Sequence, residues 1–133
     1  MITAVDTNVL LDLFTADPRF GSRSRDALRR CRAEGSLVAC EIVWAELSGA
    51  FPDAPAAAGA LEELDVTFDT IDRDIALAAG RAWRASRTAG RARRRILPDF
   101  LIGAHAAARA ERLLTRDRGF YRFAFTELPI LEP

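Results

Sequence analysis

The chain contains no lysine: all 19 of its basic residues are arginine, set against 19 aspartates and glutamates for a formal net charge of zero. Chemistry that needs a catalytic lysine is therefore excluded. There is one histidine, and no serine or cysteine has it as a matched partner, so covalent hydrolysis by an activated nucleophile has no support. The two cysteines, Cys31 and Cys40, are too far apart for a metal knuckle and too few for a disulfide framework. They read as buried thiols of a reducing compartment. No apolar run approaches the length of a membrane span, and the first residues lack the basic region that precedes a signal peptide's apolar stretch. A soluble cytoplasmic protein is expected. There is also no internal repeat, low-complexity tract or linker, and 133 residues suit one domain spanning 1–133 with a real core.

The pattern that is present alternates strands with helices. Thr3-Ala4-Val5 is a short apolar run suited to a buried strand, and at Asp6-Thr7-Asn8 the spacing changes to that of a helix reaching Phe14 and stopped near Pro18. A second helix is expected over Arg25 to Arg32, capped by Ser22 or Ser24 and ended at Gly35. Ser36 to Cys40 follows as a strand, then a helix from Glu41 to Ala50, a break at Phe51-Pro52-Asp53-Ala54-Pro55, and an alanine-rich helix to Leu64. Val66-Thr67-Phe68 is a third strand. Asp72 is placed to cap a long helix closed by Gly90. Pro98 suits the first turn of a helix running to Glu111. Arg112 to Thr115 is a fourth strand, Arg116 to Arg122 a loop or short turn, and Leu128 to Leu131 a closing strand. Such alternation predicts an α/β fold with a central, mainly parallel sheet of four or five strands covered on both faces.

Four acids stand out against this frame. Asp6 ends the first strand and Asp117 follows the fourth by two residues. In a parallel sheet both carboxylates would meet at the carboxyl edge, where ligands bind, although Asp before Arg-Gly is also ordinary turn chemistry. Glu46 falls in a stripe with Ile42, Val43, Gly49 and Ala50, where an isolated charge is costly and needs a cation or an escape to water. Asp99 lies in the first turn of its helix, where the helix dipole alone accounts for a carboxylate. Several carboxylates in one pocket repel unless a pKa rises or a cation binds. An all-oxygen set without His or Cys suits magnesium or manganese rather than zinc, and such centres hydrolyse phosphate esters. Arg81, Arg84, Arg87, Arg91, Arg93, Arg94 and Arg95 crowd one stretch, which fits either contact with a phosphate backbone or a solvated face.

Four segments then resemble the acidic motifs of PIN-domain ribonucleases: Val5-Asp6-Thr7-Asn8-Val9-Leu10-Leu11, Trp44-Ala45-Glu46-Leu47, Leu97 to Ala106 around Asp99, and Leu114-Thr115-Arg116-Asp117-Arg118-Gly119-Phe120-Tyr121. Their order and spacing are most similar to those of VapC-type toxins, and the resemblance spans nearly the whole chain. It implies a three-layer α/β/α fold and magnesium- or manganese-dependent endonucleolytic cleavage of RNA. It further implies a homodimer silenced by a cognate antitoxin. Asp6, Glu46, Asp99 and Asp117 would be the catalytic, metal-holding acids, with Asn8 and Thr115 orienting them. Given an RNA substrate, the arginine-rich stretch has a phosphate backbone to hold, and Arg93, Arg94, Arg95 and Arg116 are the candidate RNA contacts. No motif is matched between Phe51 and Arg95.

Other conspicuous residues read as structural. His105 is about 240° around the helix from Asp99 and should point away from it. Trp44 and Trp83 read as core or dimer anchors, and Phe120 and Tyr121 as closure of the core behind the fourth strand. Two other functions fit parts of the pattern. A small-substrate phosphohydrolase with an aspartyl nucleophile would need a second acid where Asn8 stands and a lysine the chain lacks. A non-catalytic RNA- or partner-binding domain would use the acids only as helix caps.

Overall fold

The computed structural model describes residues 1–89 and 95–133. Its elements run β1 (Ile2–Val5), α1 (Thr7–Phe14), α2 (Gly21–Glu34), β2 (Ser36–Ala39), α3 (Glu41–Ser48), α4 (Ala54–Glu63), β3 (Val66–Phe68), α5 (Arg73–Thr88), α6 (Leu97–Arg109), β4 (Arg112–Leu114), α7 (Arg118–Ala124) and β5 (Ile130–Leu131). The five strands form one sheet in the order β3-β2-β1-β4-β5, and every neighbouring pair is parallel. Helices cover both faces, as expected of a three-layer α/β/α domain. In β1, Thr3, Ala4 and Val5 are all buried, without the alternation of a one-faced sheet. No helix among the described residues is long and apolar enough to cross a membrane, and Cys31 and Cys40 are buried free thiols.

β1 lies at the centre because the chain leaves it in both directions: β2 and β3 are added on one side, β4 and β5 on the other. Ala4 is in register with Val38 of β2 and Leu113 of β4. The crevice beyond the carboxyl ends of β1 and β4 is thus the topological switch point, where open α/β sheets bind ligands. Leu10, Val9, Leu47, Phe100, Leu113 and Leu114 are fully buried beneath it, so the edge that carries the acids is backed by packed core.

Three local expectations are corrected. α2 begins at Gly21, four residues before the expected start, because the Asp17 carboxylate accepts from the backbone N–H groups of Arg19 and Phe20, each at 2.8 Å, and organises the turn that enters it. Ser22 and Ser24 are therefore inside the helix rather than caps. Where a loop or short turn was expected from Arg116 to Arg122, the chain forms α7. The burial of Phe120 and Tyr121, with Phe120 edge-on to Phe100 at 5.1 Å, outweighs the turn signal of Asp117-Arg118-Gly119. In α3 the buried face consists of Val43 and Leu47, and Glu46 is exposed. Gly90 lies outside the described residues, while Asp72 does cap α5, accepting from Ile75 N–H at 2.9 Å.

A buried ion pair ties α1 and α2 to the β4–α7 connection. Asp12 is almost wholly buried; its carboxylate accepts from Arg116 Nε at 2.7 Å, Arg116 Nη2 at 3.0 Å and Ser24 Oγ at 2.8 Å. The Arg116 guanidinium also lies over the Phe20 ring, 4.1 Å from its centroid. Removing one partner of a buried pair leaves an uncompensated charge. Arg116→Leu is therefore expected to lower unfolding stability toward the lower end of about 3 to 5 kcal/mol, since Arg116 is partly exposed. Denaturant melts check this, and an unaltered midpoint would return Arg116 to a surface role.

Candidate active site

Asp6 follows β1 directly. Its backbone N–H continues the ladder to Leu114 O at 3.0 Å, and its extended backbone makes it the N-cap of α1. One carboxylate oxygen accepts from Thr7 N–H at 2.8 Å. The other accepts from the Thr115 hydroxyl at 2.7 Å and from Asn8 Nδ2 at 3.2 Å. Thr115, fully buried at the end of β4, is the hub: besides donating to Asp6, its oxygen accepts from Asp117 N–H at 2.9 Å and from Asn8 Nδ2 at 3.3 Å. Asn8 closes the ring by accepting from Arg116 N–H at 3.1 Å. The expectation that Asn8 and Thr115 orient the acids thus corresponds to a hydrogen-bonded frame across the β1–β4 crevice.

The other acids approach this frame from three helices. Asp99 is half-buried in the first turn of α6, and Glu46 comes from α3, where its Oε1 accepts from the Thr7 hydroxyl at 2.7 Å. Asp117, at the entrance to α7, is paired with Arg95. Asp6 and Asp99 repel one another, and Asp99 is also repelled by Glu46 and Asp117. Burial raises the Asp6 carboxyl to about 6 against the bonds from Thr115, Thr7 N–H and Tyr121, which pull it down. Burial likewise raises Asp99, opposed chiefly by the charge of Arg95.

Tyr121 was assigned to the core by sequence, and it is indeed almost fully buried. It is also a site residue: its hydroxyl bonds the Asp6 carboxyl, and burial together with the charges of Asp6, Asp99 and Asp117 holds its pKa well above the usual 10. It therefore stays a neutral donor. The available signal was a tyrosine, rather than a second phenylalanine, at a core position, because a buried phenol needs a partner.

Among the described residues, no group of three or more His, Cys, Asp or Glu side chains is drawn close enough to hold a metal ion. Asp117 is turned to Arg95 and Glu46 to Thr7. The donors nonetheless fit a hard divalent cation in kind: all are oxygens, and the two with raised pKa values, Asp6 and Asp99, are those whose charge a cation would most relieve.

The expected RNA contacts fare differently. Arg93 and Arg94 lie outside the described residues. Arg95 is bound to Asp117 and lies over the Phe120 ring, while Arg116 is committed to Asp12. His105 points away from the acids, as expected, with Nε2 2.7 Å from Asp69 Oδ2. Trp44 is half-buried edge-on to Phe68.

An open parallel α/β domain with acids converging on its switch point defines a class of small domain with a carboxylate centre. The model of the PIN domain family matches residues 3–126, and the chain belongs to that family. Among curated proteins none matches in sequence. Among solved structures, the chain is similar to one in VapBC2 from Rickettsia felis bound to a DNA fragment from their promoter, at 19% identity and TM-score 0.76 over 99% of this chain and 98% of that one. It is also similar to one in VapBC-1 from nontypeable Haemophilus influenzae, at 22% identity and TM-score 0.72 over 99% and 98%. A chain in a toxin-antitoxin complex from Klebsiella pneumoniae shares 23% identity and TM-score 0.68 over 97% and 95%. At these identities the likeness is one of fold.

The raised Asp6 pKa has a consequence for stability. A carboxyl that titrates at about 6 when folded and at 3.8 when unfolded contributes stability that is fully present below the lower value and lost as pH rises through the upper one. Wild type should therefore lose, between about pH 4 and pH 6, on the order of 3 kcal/mol relative to Asp6→Asn. Denaturant melts of both proteins across that range test this, and parallel profiles would refute the assignment.

Proposed function

We propose that the chain is a magnesium- or manganese-dependent endoribonuclease acting as the toxin of a type II toxin-antitoxin pair. The observation that carries this reading is the pair Asp6 and Asp99 at the β1–β4 switch point of a PIN domain, both carboxyls raised by burial, with Glu46 and Asp117 near enough to Asp99 to repel its charge. Asp6 and Asp99 would hold the ion most directly, with Glu46 and Asp117 completing the acidic wall. A bound ion supplies a water of lowered pKa and neutralises charge at a phosphate oxygen.

The chain's own residues do the rest. The Thr115 hydroxyl and Thr7 N–H fix the Asp6 carboxylate so that its oxygens do not have to reorganise when a cation arrives. Asn8 holds Thr115 and Asp6 together. Tyr121 closes the back of the crevice with a neutral hydroxyl and, with its pKa held so high, does not serve as the base. His105 is occupied by Asp69 away from the acids, so a carboxylate of the cluster would take the proton of the attacking water. RNA is the substrate, a cytoplasmic location follows, and the partners are a second copy of the chain and a cognate antitoxin. The antitoxin reading is supported by the complexes in which the similar folds occur, one of which is described as a toxin-antitoxin complex.

Manganese titration by calorimetry at matched folding is the first test. Wild type should bind saturably, and Asp99→Asn should not. RNA cleavage by Asp6→Asn or Asp99→Asn should fall further than the roughly 10- to 100-fold typical of changes outside a metal's own ligands. Equal turnover in both variants and wild type would transfer the reading to a non-catalytic binding domain whose acids only cap helices.

A further inference from the structure

Arg95 enters α6 four residues before Asp99, and its guanidinium takes both oxygens of Asp117. Nη2 donates to Oδ1 at 3.0 Å and Nη1 donates to Oδ2. The Phe120 ring lies against the guanidinium, with its centroid 4.5 Å from Cζ. The same cation draws the Asp99 carboxyl's pKa down, and the carboxylates in turn raise that of Arg95, chiefly through the bonds to Asp117. One positive charge thus faces two of the four acids.

This pair differs from the Asp12–Arg116 pair in exposure. The two arginines are equally exposed, at 32%, but the carboxylates are not: Asp12 is 4% exposed and Asp117 31%. A pair whose two members are both open to water adds little stability. A divalent cation drawn to Asp99 and Asp117 meets two obstacles there: both Asp117 oxygens are already taken, and the guanidinium charge repels the ion.

We propose that Arg95 is an internal counter-ion of the acidic cluster, which a divalent cation must displace from Asp117 in order to bind, so that the ion pair sets the threshold of metal loading. This rests on the metal-site reading above. The guanidinium offsets the charge of Asp117 directly and that of Asp99 at longer range. Its planar fork matches a carboxylate edge, and Phe120 holds the fork in that plane, so the pairing is geometric as well as electrostatic.

Manganese titration of the full chain by calorimetry tests this, using wild type, Arg95→Gln, Arg95→Lys, Asp99→Asn and Arg30→Gln, the last removing an exposed charge on α2. Folding is checked by circular dichroism, and Arg95→Lys keeps the comparison valid if the glutamine variant unfolds. Arg95→Gln should bind manganese roughly fivefold more tightly than wild type, the factor equivalent to an ion pair of about 1 kcal/mol. Arg95→Lys should fall between them, and Arg30→Gln should match wild type. Saturable binding that appears only when Arg95 is removed would support the proposal most strongly. Equal or weaker binding by Arg95→Gln overturns it while leaving the metal site intact, and so does the same gain from Arg30→Gln. Absence of binding in wild type and Arg95→Gln alike overturns both the proposal and the metal site.

Discussion

The arrangement depends on a carboxylate buried at the end of the central strand. An ionised Asp6 at 6% exposure would be prohibitive if left alone, and the surrounding chain is organised to make it tolerable. The N-terminus of α1 gives it a backbone donor, the end of β4 gives it Thr115, and α7 brings Tyr121 beneath it. These groups come from three separate stretches, and the parallel pairing of β1 with β4 is what brings the first two together. The price is a carboxyl still raised to about 6, a strain that a cation would relieve.

Charge balance elsewhere follows the same logic. A chain whose only strong cations are arginines uses them as two-pronged clamps: Arg116 on Asp12, Arg95 on Asp117, and Arg109 on Asp72 with Asp69 nearby. The zero net charge thus conceals local pairing between helices. Of the arginines expected to contact RNA, the two described, Arg95 and Arg116, are each paired with a carboxylate, Asp117 at the site and buried Asp12 beside the core.

How much was legible in the sequence depended on whether a residue's role was local. The β1 strand, the helix start at Asp6, β3 at Val66–Phe68 and the Asp72 cap were readable because strand propensity and capping act between near neighbours. The four acids were readable as motifs in a known order, and sheet topology gave a reason for Asp6 and Asp117 to meet. What failed was tertiary. Helix α7 exists because Phe120 and Tyr121 bury themselves against distant groups, so a turn-like Asp-Arg-Gly misled. Glu46 was misplaced because an eight-residue helix has too few turns to define its buried face. The partners of Arg116 and Arg95 lie 104 and 22 residues away in the chain, and Tyr121's target is on β1's far end, so none of these bonds has a local signature.

Under the proposed function, the acids at the β1–β4 edge would activate water for attack on an RNA phosphate. The most direct measurement is the end chemistry of RNA cut by the purified chain, with manganese and with a chelator. Attack by water with departure of the 3′ oxygen would leave 5′-phosphate and 3′-hydroxyl ends, and a required divalent ion would mean no cutting in chelator. Cleavage that persists in chelator, or that leaves 2′,3′-cyclic phosphates from attack by the RNA's own 2′-hydroxyl, would contradict the account.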